Sequence, residues 1–255
     1  MTMIDLRSDA WRRATRALML CALCTIAMSP LKAADAAGDA TGFSEAETRL
    51  WLGDQLKAVT APSVLEYAFE KSGTYEAGFS DRVVFTVHEL KPDGMKSASL
   101  QFFTGERNFP VPPEERTNVN PVLKVYFQGD VYEMNRLTDP DGVARERWRY
   151  FQRRIKFALA DTAKVEPVTF EFDGRPYAGH KISFAPYLDD PKSDKFKDFI
   201  GKTYTVIVSD ELPGYVYRIE TEVPGKTAGA PPLMRESLWL TAIRPYAPPR
   251  AGTAN

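Results

Sequence analysis

Hydrophobic period constrains this chain most: it runs at two residues, changes to the helical period for about forty residues, then returns to two. Leu65, Tyr67 and Phe69 alternate with Glu66, Ala68 and Glu70, the pattern of a strand with one buried face. Residues 82–90 place Val83, Phe85 and Val87 on one face, with Val84, Thr86 and His88 on the other. Lys91-Pro92-Asp93-Gly94 has turn chemistry and leads into a return strand bearing Ala98, Leu100 and Phe102. Asn118-Val119-Asn120-Pro121 then supplies a capping residue followed by proline at the first helical position. From there Leu123, Phe127, Val131 and Met134 recur at helical spacing, until Asp139-Pro140-Asp141-Gly142 breaks the helix. A second helix, about 143–162, aligns Trp148, Phe151, Ile155 and Leu159 on one stripe.

Alternation resumes with Phe170 and Phe172 before the turn Asp173-Gly174-Arg175-Pro176, and His180, Ile182 and Phe184 share the parity of the return. A charged short helix or loop is expected at 193–200, followed by Tyr204, Val206 and Val208. The turn Asp210-Glu211-Leu212-Pro213-Gly214 precedes Tyr217, Ile219 and Val223, and Leu238 and Leu240 mark the last strand. Upstream, Ser44-Glu45-Ala46-Glu47 is a capping box that opens a helix of about 45–59, with Leu50, Trp51 and Leu56 as its apolar contacts. About eight strands joined by short turns must be mostly antiparallel. The fold class is therefore α+β: a curved half-barrel sheet, with the N-terminal helix and the central helix pair covering one face. A closed β-barrel is the alternative. One domain, 43–245 with a helical insertion at about 120–162, accounts for the pattern, and 246–255 reads as a disordered tail.

The first 36 residues read as a secretory signal peptide. Arg7, Arg12, Arg13 and Arg16 precede an uncharged run from Ala17 to Met28, Pro30 breaks it, and Ala34-Asp35-Ala36 fits a small-residue cleavage site. The run is too short to span a bilayer, which takes ~20 apolar residues. Residues 37–42 form a flexible leader. Twin-arginine export is disfavoured because Ala-Thr-Arg follows Arg12-Arg13, and lipidation is disfavoured because leucines precede Cys21 and Cys24. Cleavage removes both cysteines, so the periplasmic mature chain forms no disulfide. It also leaves 28 basic against 31 acidic residues, an ordinary soluble surface with no nucleic-acid footprint.

Little catalytic chemistry remains. Two histidines about ninety residues apart, without cysteine, make no metal signature, and His180 reads as a hydrogen-bonded histidine at a sheet edge. Asp189, Asp190 and Asp194, interleaved with Pro191, Lys192 and Lys195, read as a solvated loop. No G-x-S-x-G elbow or glycine-rich phosphate loop occurs. The reading is of a non-enzyme without cofactor or metal; a hydrolase built on carboxylates and His180 is the enzymatic competitor. Two features point to binding. Phe102, Phe170, Phe172, Phe184, Tyr204 and Tyr217 either line a ligand cavity or fill a core, with Trp148, Phe151 and Ile155 as the stripe of a covering helix. On that helix Arg145, Arg147, Arg149, Arg153, Arg154 and Lys156 oppose one acid, Glu146. Arg145, Arg149, Arg153 and Lys156 are the candidate contacts to anionic lipid or a partner.

The C-terminal strands carry a family likeness. Lys202-Thr203-Tyr204-Thr205-Val206-Ile207-Val208, the turn Ser209-Asp210-Glu211-Leu212-Pro213-Gly214, and Tyr215-Val216-Tyr217-Arg218-Ile219-Glu220 are followed by Arg235-Glu236-Ser237-Leu238-Trp239-Leu240-Thr241-Ala242-Ile243. This order resembles the periplasmic lipoprotein-carrier superfamily, the Lol carrier and its outer-membrane receptor, over about residues 43–245. The resemblance implies an open half-barrel whose concave apolar face, lidded by helices, takes up acyl chains. The expected function is that of a monomeric periplasmic carrier or binding protein for an acyl chain, lipid or lipoprotein-like ligand. The alternative is an accessory interaction subunit of a cell-envelope complex with a membrane-protein partner.

Overall fold

The computed structural model describes residues 42–139 and 147–248. The signal peptide, the leader up to residue 41, Arg145, the expected helix start at 143 and residues 249–255 lie outside the described residues.

Alternation becomes a sheet. Its strands are β1 (Ser63–Ser72), β2 (Phe79–Leu90), β3 (Lys96–Phe102), β4 (Phe109–Pro110), β5 (Glu114–Thr117), β6 (Lys164–Phe172), β7 (Arg175–Phe184), β8 (Thr203–Val208), β9 (Val216–Val223) and β10 (Met234–Pro245). Their order is β4-β3-β2-β1-β10-β9-β8-β7-β6, with β5 also on β3. Two meanders, one at each end of the chain, are thus joined where β1 pairs antiparallel with β10, Ser63 opposite Pro245 through Ser72 opposite Arg235. The edges do not meet, so the sheet is an open half-barrel and not the closed alternative. Bulges at Glu66/Tyr67, Val87/Glu89 and Ile207/Val208 add the local bending that an open curved sheet requires. The β6–β7 hairpin turns at Asp173 and Gly174, both at positive φ (51° and 69°), the two-residue geometry that matches strand twist. Two short strands, β4 and β5, lie in a stretch whose prolines at 110, 112 and 113 disguise any alternation.

The helices lie on one face. Helix α2 (Pro121–Thr138) starts as expected: the Asn120 Oδ1 accepts from the Val122 N–H at 3.0 Å, and Pro121 fills the first turn. Helix α3 is described from Arg147 to Asp161. Helix α1 (Glu45–Glu47) has the expected capping box but passes into a single π turn, Thr48–Leu52, and stops at an extended Gly53. It does not reach residue 59, because the chain beyond Gly53 is captured by other partners. The Gln55 side chain donates to the Leu50 carbonyl at 2.8 Å, and the backbone N–H groups of Gln55 and Leu56 donate to the Asn118 carbonyl. The expected element at 193–200 is two 3₁₀ turns, Ser193–Lys195 and Lys197–Phe199, with Phe196 and Phe199 buried.

The core lies between the concave sheet face and α2 and α3. Leu65, Tyr67, Val83, Phe85, Leu100, Ile182, Phe184, Val206, Ile219 and Leu238 supply it from the strands, and Leu123, Phe127, Met134, Phe151 and Ile155 from the helices. Each large apolar side chain so buried contributes on the order of 2 kcal/mol.

Candidate functional site

One transverse row of the sheet breaks the apolar rule. Cross-strand register aligns Phe79, Lys71, Glu236, Thr221, Tyr204 and Phe184 across β2, β1, β10, β9, β8 and β7, so all point to the concave face. Helix α2 adds Tyr126, Asp130 and Glu133, spaced four and three residues apart and therefore on one helical face. The Lys71 ammonium reaches Glu76 at 2.5 Å and Glu236 at 3.6 Å, and is also bonded to Glu133. Lys202, just before β8, is wholly buried and paired with Asp130, whose other oxygen accepts from the Tyr204 hydroxyl at 2.7 Å. Tyr204 in turn shares a 3.1 Å hydrogen bond with the Tyr187 hydroxyl. Arg136 closes the outer end on Glu76 and Glu133.

Burial sets the protonation of this row. It pulls both ammonium groups down, but the facing carboxylates outweigh it and hold Lys71 and Lys202 above the ordinary lysine value. Burial also raises Glu76, yet Arg136 and Lys71 overcome it and bring that carboxyl down to about 2. Glu236 goes the other way. Its own burial, with Glu133 and Asp130 nearby, prevails over Lys202 and Lys71 and raises it to about 7. The tyrosines at 126, 187 and 204 are raised far above 10 by burial and by Asp130, so they stay neutral donors.

Beside the row lies a cavity of about 200 Å³. Phe69, Phe79, Phe102, Phe103 and Phe109 form its apolar wall, and Val125, Tyr126, Gly129, Asp130 and Glu133 of α2, with Glu236 and Arg107, complete it. The rings touch one another, with centroids 4.7 Å apart for Phe69–Phe103 and 4.6 Å for Phe102–Phe103. Gly129 is exposed on the helix side of this cleft, and a Cβ built on it meets nothing within 4 Å. A shallow groove of about 440 Å³ along Gln101 and 108–112 lies open to solvent and has no charged lining.

The expected site residues separate into three places. Phe102 lines the cavity. Phe184, Tyr204, Phe151 and Ile155 belong to a solid core, in which Phe184 stacks on Tyr204 at 4.9 Å and Phe127 on Tyr204 at 6.1 Å. Phe170, Phe172 and Tyr217 do not join them. Phe170 pairs with Tyr177, five residues from the inward Ile182, and an odd separation means the opposite face; Tyr217 stacks on Phe170 there at 4.0 Å. Trp148 is half-buried against Tyr132. Arg149, Arg153 and Lys156 are exposed along α3, next to an exposed Phe157. The solvated-loop reading is corrected at Asp190: its carboxylate is buried, meets Arg154 at 2.6 Å and accepts from the Tyr150 hydroxyl at 2.6 Å, tying the 185–192 segment to α3. His180 is half-buried on the helix side of the sheet, and burial together with Arg49 lowers its pKa.

No protein-family model matches the sequence, and no curated protein does. Among solved structures the chain is similar to the lipoprotein LppX of Mycobacterium tuberculosis, at 10% identity over 74% of this chain and 90% of that one, with a TM-score of 0.29. It is similar to LprF of Mycobacterium bovis at 15% identity, over 80% of this chain and 96% of that one, with a TM-score of 0.31. A third is a LolA superfamily protein of Nitrosomonas europaea, at 14% identity, 80% and 94% coverage and a TM-score of 0.25.

Proposed function

We propose that this chain is a non-enzymatic periplasmic binding or carrier protein for an apolar ligand, an acyl chain or lipid, exported by a signal peptide at 1–36. The cavity under α2 carries this reading. Five phenylalanines here wall about 200 Å³ of a half-open cleft, with the solvent-exposed Gly129 of α2 on its other side. Apolar walls with a few convergent polar groups are the usual make-up of a ligand pocket, although such pockets run to ~300–1,000 Å³. This one accommodates one end of an amphiphile, and uptake of more requires α2 to move outward. Burial of apolar surface at ~25 cal/mol per Å² drives uptake. The exposed Arg149, Arg153 and Lys156, beside Phe157, are the face offered to anionic lipid or to an envelope partner.

The test is native mass spectrometry of the mature protein purified from periplasm without detergent, followed by solvent extraction. A stoichiometric apolar adduct, lost in Gly129→Leu, is the expected result. A clean apo mass that survives incubation with envelope lipids refutes the reading and leaves the accessory-subunit alternative.

A further inference from the structure

The cleft under α2 holds one end of a chain, and an uncharged groove adjoins it. Resting on the carrier reading, we propose that the ligand is a single long alkyl chain whose methyl end fills the cleft and whose remaining methylenes lie outside α2, in the groove along Gln101 and 108–112. Two observations join these spaces. Phe109, 42% exposed, lines both of them. It also pairs with Phe102 across β3 and β4, which puts both rings on one face of the sheet. Phe102 lines the cleft, and Leu100, two residues back on that same face, lines the groove. The inward stripe of β3 therefore carries an apolar lane from the phenylalanine wall into the groove.

Size sets how the chain divides between them. An apolar cavity of ~150 Å³ takes up benzene, so the cleft of about 200 Å³ takes about six to eight carbons. The groove, at about 440 Å³, brings the whole into the ~300–1,000 Å³ of ordinary ligand pockets. Leu100, Phe109 and the half-buried Val111 give it apolar surface, and its polar lining residues, Gln101 and Asn108, are uncharged.

The backbone of the groove favours an alkyl chain over an extended peptide. Pro110 and Pro112 carry no N–H, so methylenes laid across 110–112 desolvate few donors. A peptide adding to this edge as a strand would need those donors for its own pairing. Proline also fixes φ, so the wall is ordered before a ligand arrives. The ionic side chains of the cleft, by contrast, are engaged. Asp130 is bonded to Lys202 and Tyr204, Glu133 and Glu236 are paired with Lys71, and Arg107 lies over the Phe79 ring. They leave no place for a polar head, so the methyl end enters the cleft and the head stays in solvent beyond the groove.

Calorimetric titration of the mature protein with octyl, decyl and dodecyl maltoside, each below its micelle concentration, tests this. Full burial of a methylene corresponds to about fourfold in affinity, and burial on one side to about twofold. Dodecyl maltoside is therefore expected to bind about tenfold tighter than octyl maltoside, with the decyl compound between them. Val111→Asp sets a charge in the groove and should cut that ratio to about twofold, while octyl affinity stays within about twofold of the parent. Val111→Ser should act in the same direction by less, and serves if the aspartate disturbs folding. Octyl and dodecyl affinities that are equal in the parent, a ratio unchanged in both variants, or octyl binding lost together with dodecyl binding overturns the proposal and leaves the carrier reading standing. Failure of all three maltosides to bind the parent overturns both.

Discussion

Lys202→Met probes the buried row most directly. The side chains of Lys202 and Asp130 are 0% and 1% exposed, so neither can recover hydration when its partner is removed. Methionine keeps the length and apolar stem of lysine, which leaves loss of charge as the main change. Asp130 would then retain only the Tyr204 hydroxyl, and an uncompensated buried carboxylate of this kind costs about 3–5 kcal/mol. The double variant Lys202→Met/Asp130→Leu desolvates neither charge. Replacing a buried pair with apolar side chains is often neutral or stabilising by about 1–4 kcal/mol, offset here by the lost acceptor of Tyr204, which still has Tyr187 at 3.1 Å. The double variant is therefore expected within about 2 kcal/mol of the parent, although its second substitution also removes a carboxylate. Urea denaturation followed by tryptophan fluorescence measures all arms of the cycle. The reasoning is refuted if Lys202→Met lies within about 1 kcal/mol of the parent, or if the double variant costs the sum of the two singles.

The raised Glu236 gives a pH signature. The folded state holds that proton more tightly than the unfolded chain, so the associated stability is complete below about pH 4.5 and is lost as pH rises through about 7. The loss is at most about 3 kcal/mol, and Glu236→Gln should flatten the profile between those limits; an unchanged slope removes Glu236 as its source. Glu76, lowered to about 2, works in the opposite sense and a different window: its stabilisation is present above about pH 4.5 and fades as pH falls toward 2, which Glu76→Gln would show in acid titration. Asn120→Ala removes the α2 cap together with hydrogen bonds to the Tyr67 hydroxyl and the Gly214 carbonyl. Denaturation should show a loss of about 3 kcal/mol, well beyond the ~1 kcal/mol of a cap alone. Gly129→Ala should raise the melting temperature through a gain of about 0.5–1 kcal/mol, since helical backbone and open space both permit the methyl.

Strand positions, the helix pair and the open edges were legible because one-faced burial writes itself as alternation. The charged row is written in the same code. Lys71 continues the inward parity of Leu65, Tyr67 and Phe69; Glu236 precedes Leu238 and Leu240 at the same parity; Lys202 stands in step with Tyr204 and Val206. Two ionisable residues at inward strand positions and a third one residue ahead of β8, with Asp130 inside an apolar helix, form a detectable signal once parity is extended past the last hydrophobic residue. What sequence could not supply is register: nothing local states that Lys71 faces Glu236 across a pairing between the first and last long strands. Parity also failed at Phe170 and Phe172, because their strand keeps its register while the face it buries changes past Pro167. The short α1 was hidden for a related reason, since its end is set by Asn118, sixty residues away in sequence.

The two halves of the interior are closed by different physics, and that difference bears on how a ligand gains access. Toward β7 and β8, α2 meets the sheet through the stacked rings of Phe127, Phe184 and Tyr204, and Phe151 of α3 packs on Phe196 of the 193–199 segment, so separation there exposes apolar surface at ~25 cal/mol per Å². Toward β1 and β3, α2 meets the sheet through Lys71, Glu133, Glu236 and Arg136, and the apolar wall beyond is already separated from the helix by the cavity. Opening the second side rehydrates charges, which recovers much of the Coulombic loss, and uncovers little packed hydrocarbon. Helix α2 should therefore pivot about its Asn120 cap and aromatic side and swing at the Glu133 end. Amide hydrogen exchange can resolve this: protection in α2 should fall from its N-terminal turn toward Arg136, and the gradient should steepen in Glu133→Gln. Uniform protection along the helix would mean that both sides are held equally and that the charged row is no door.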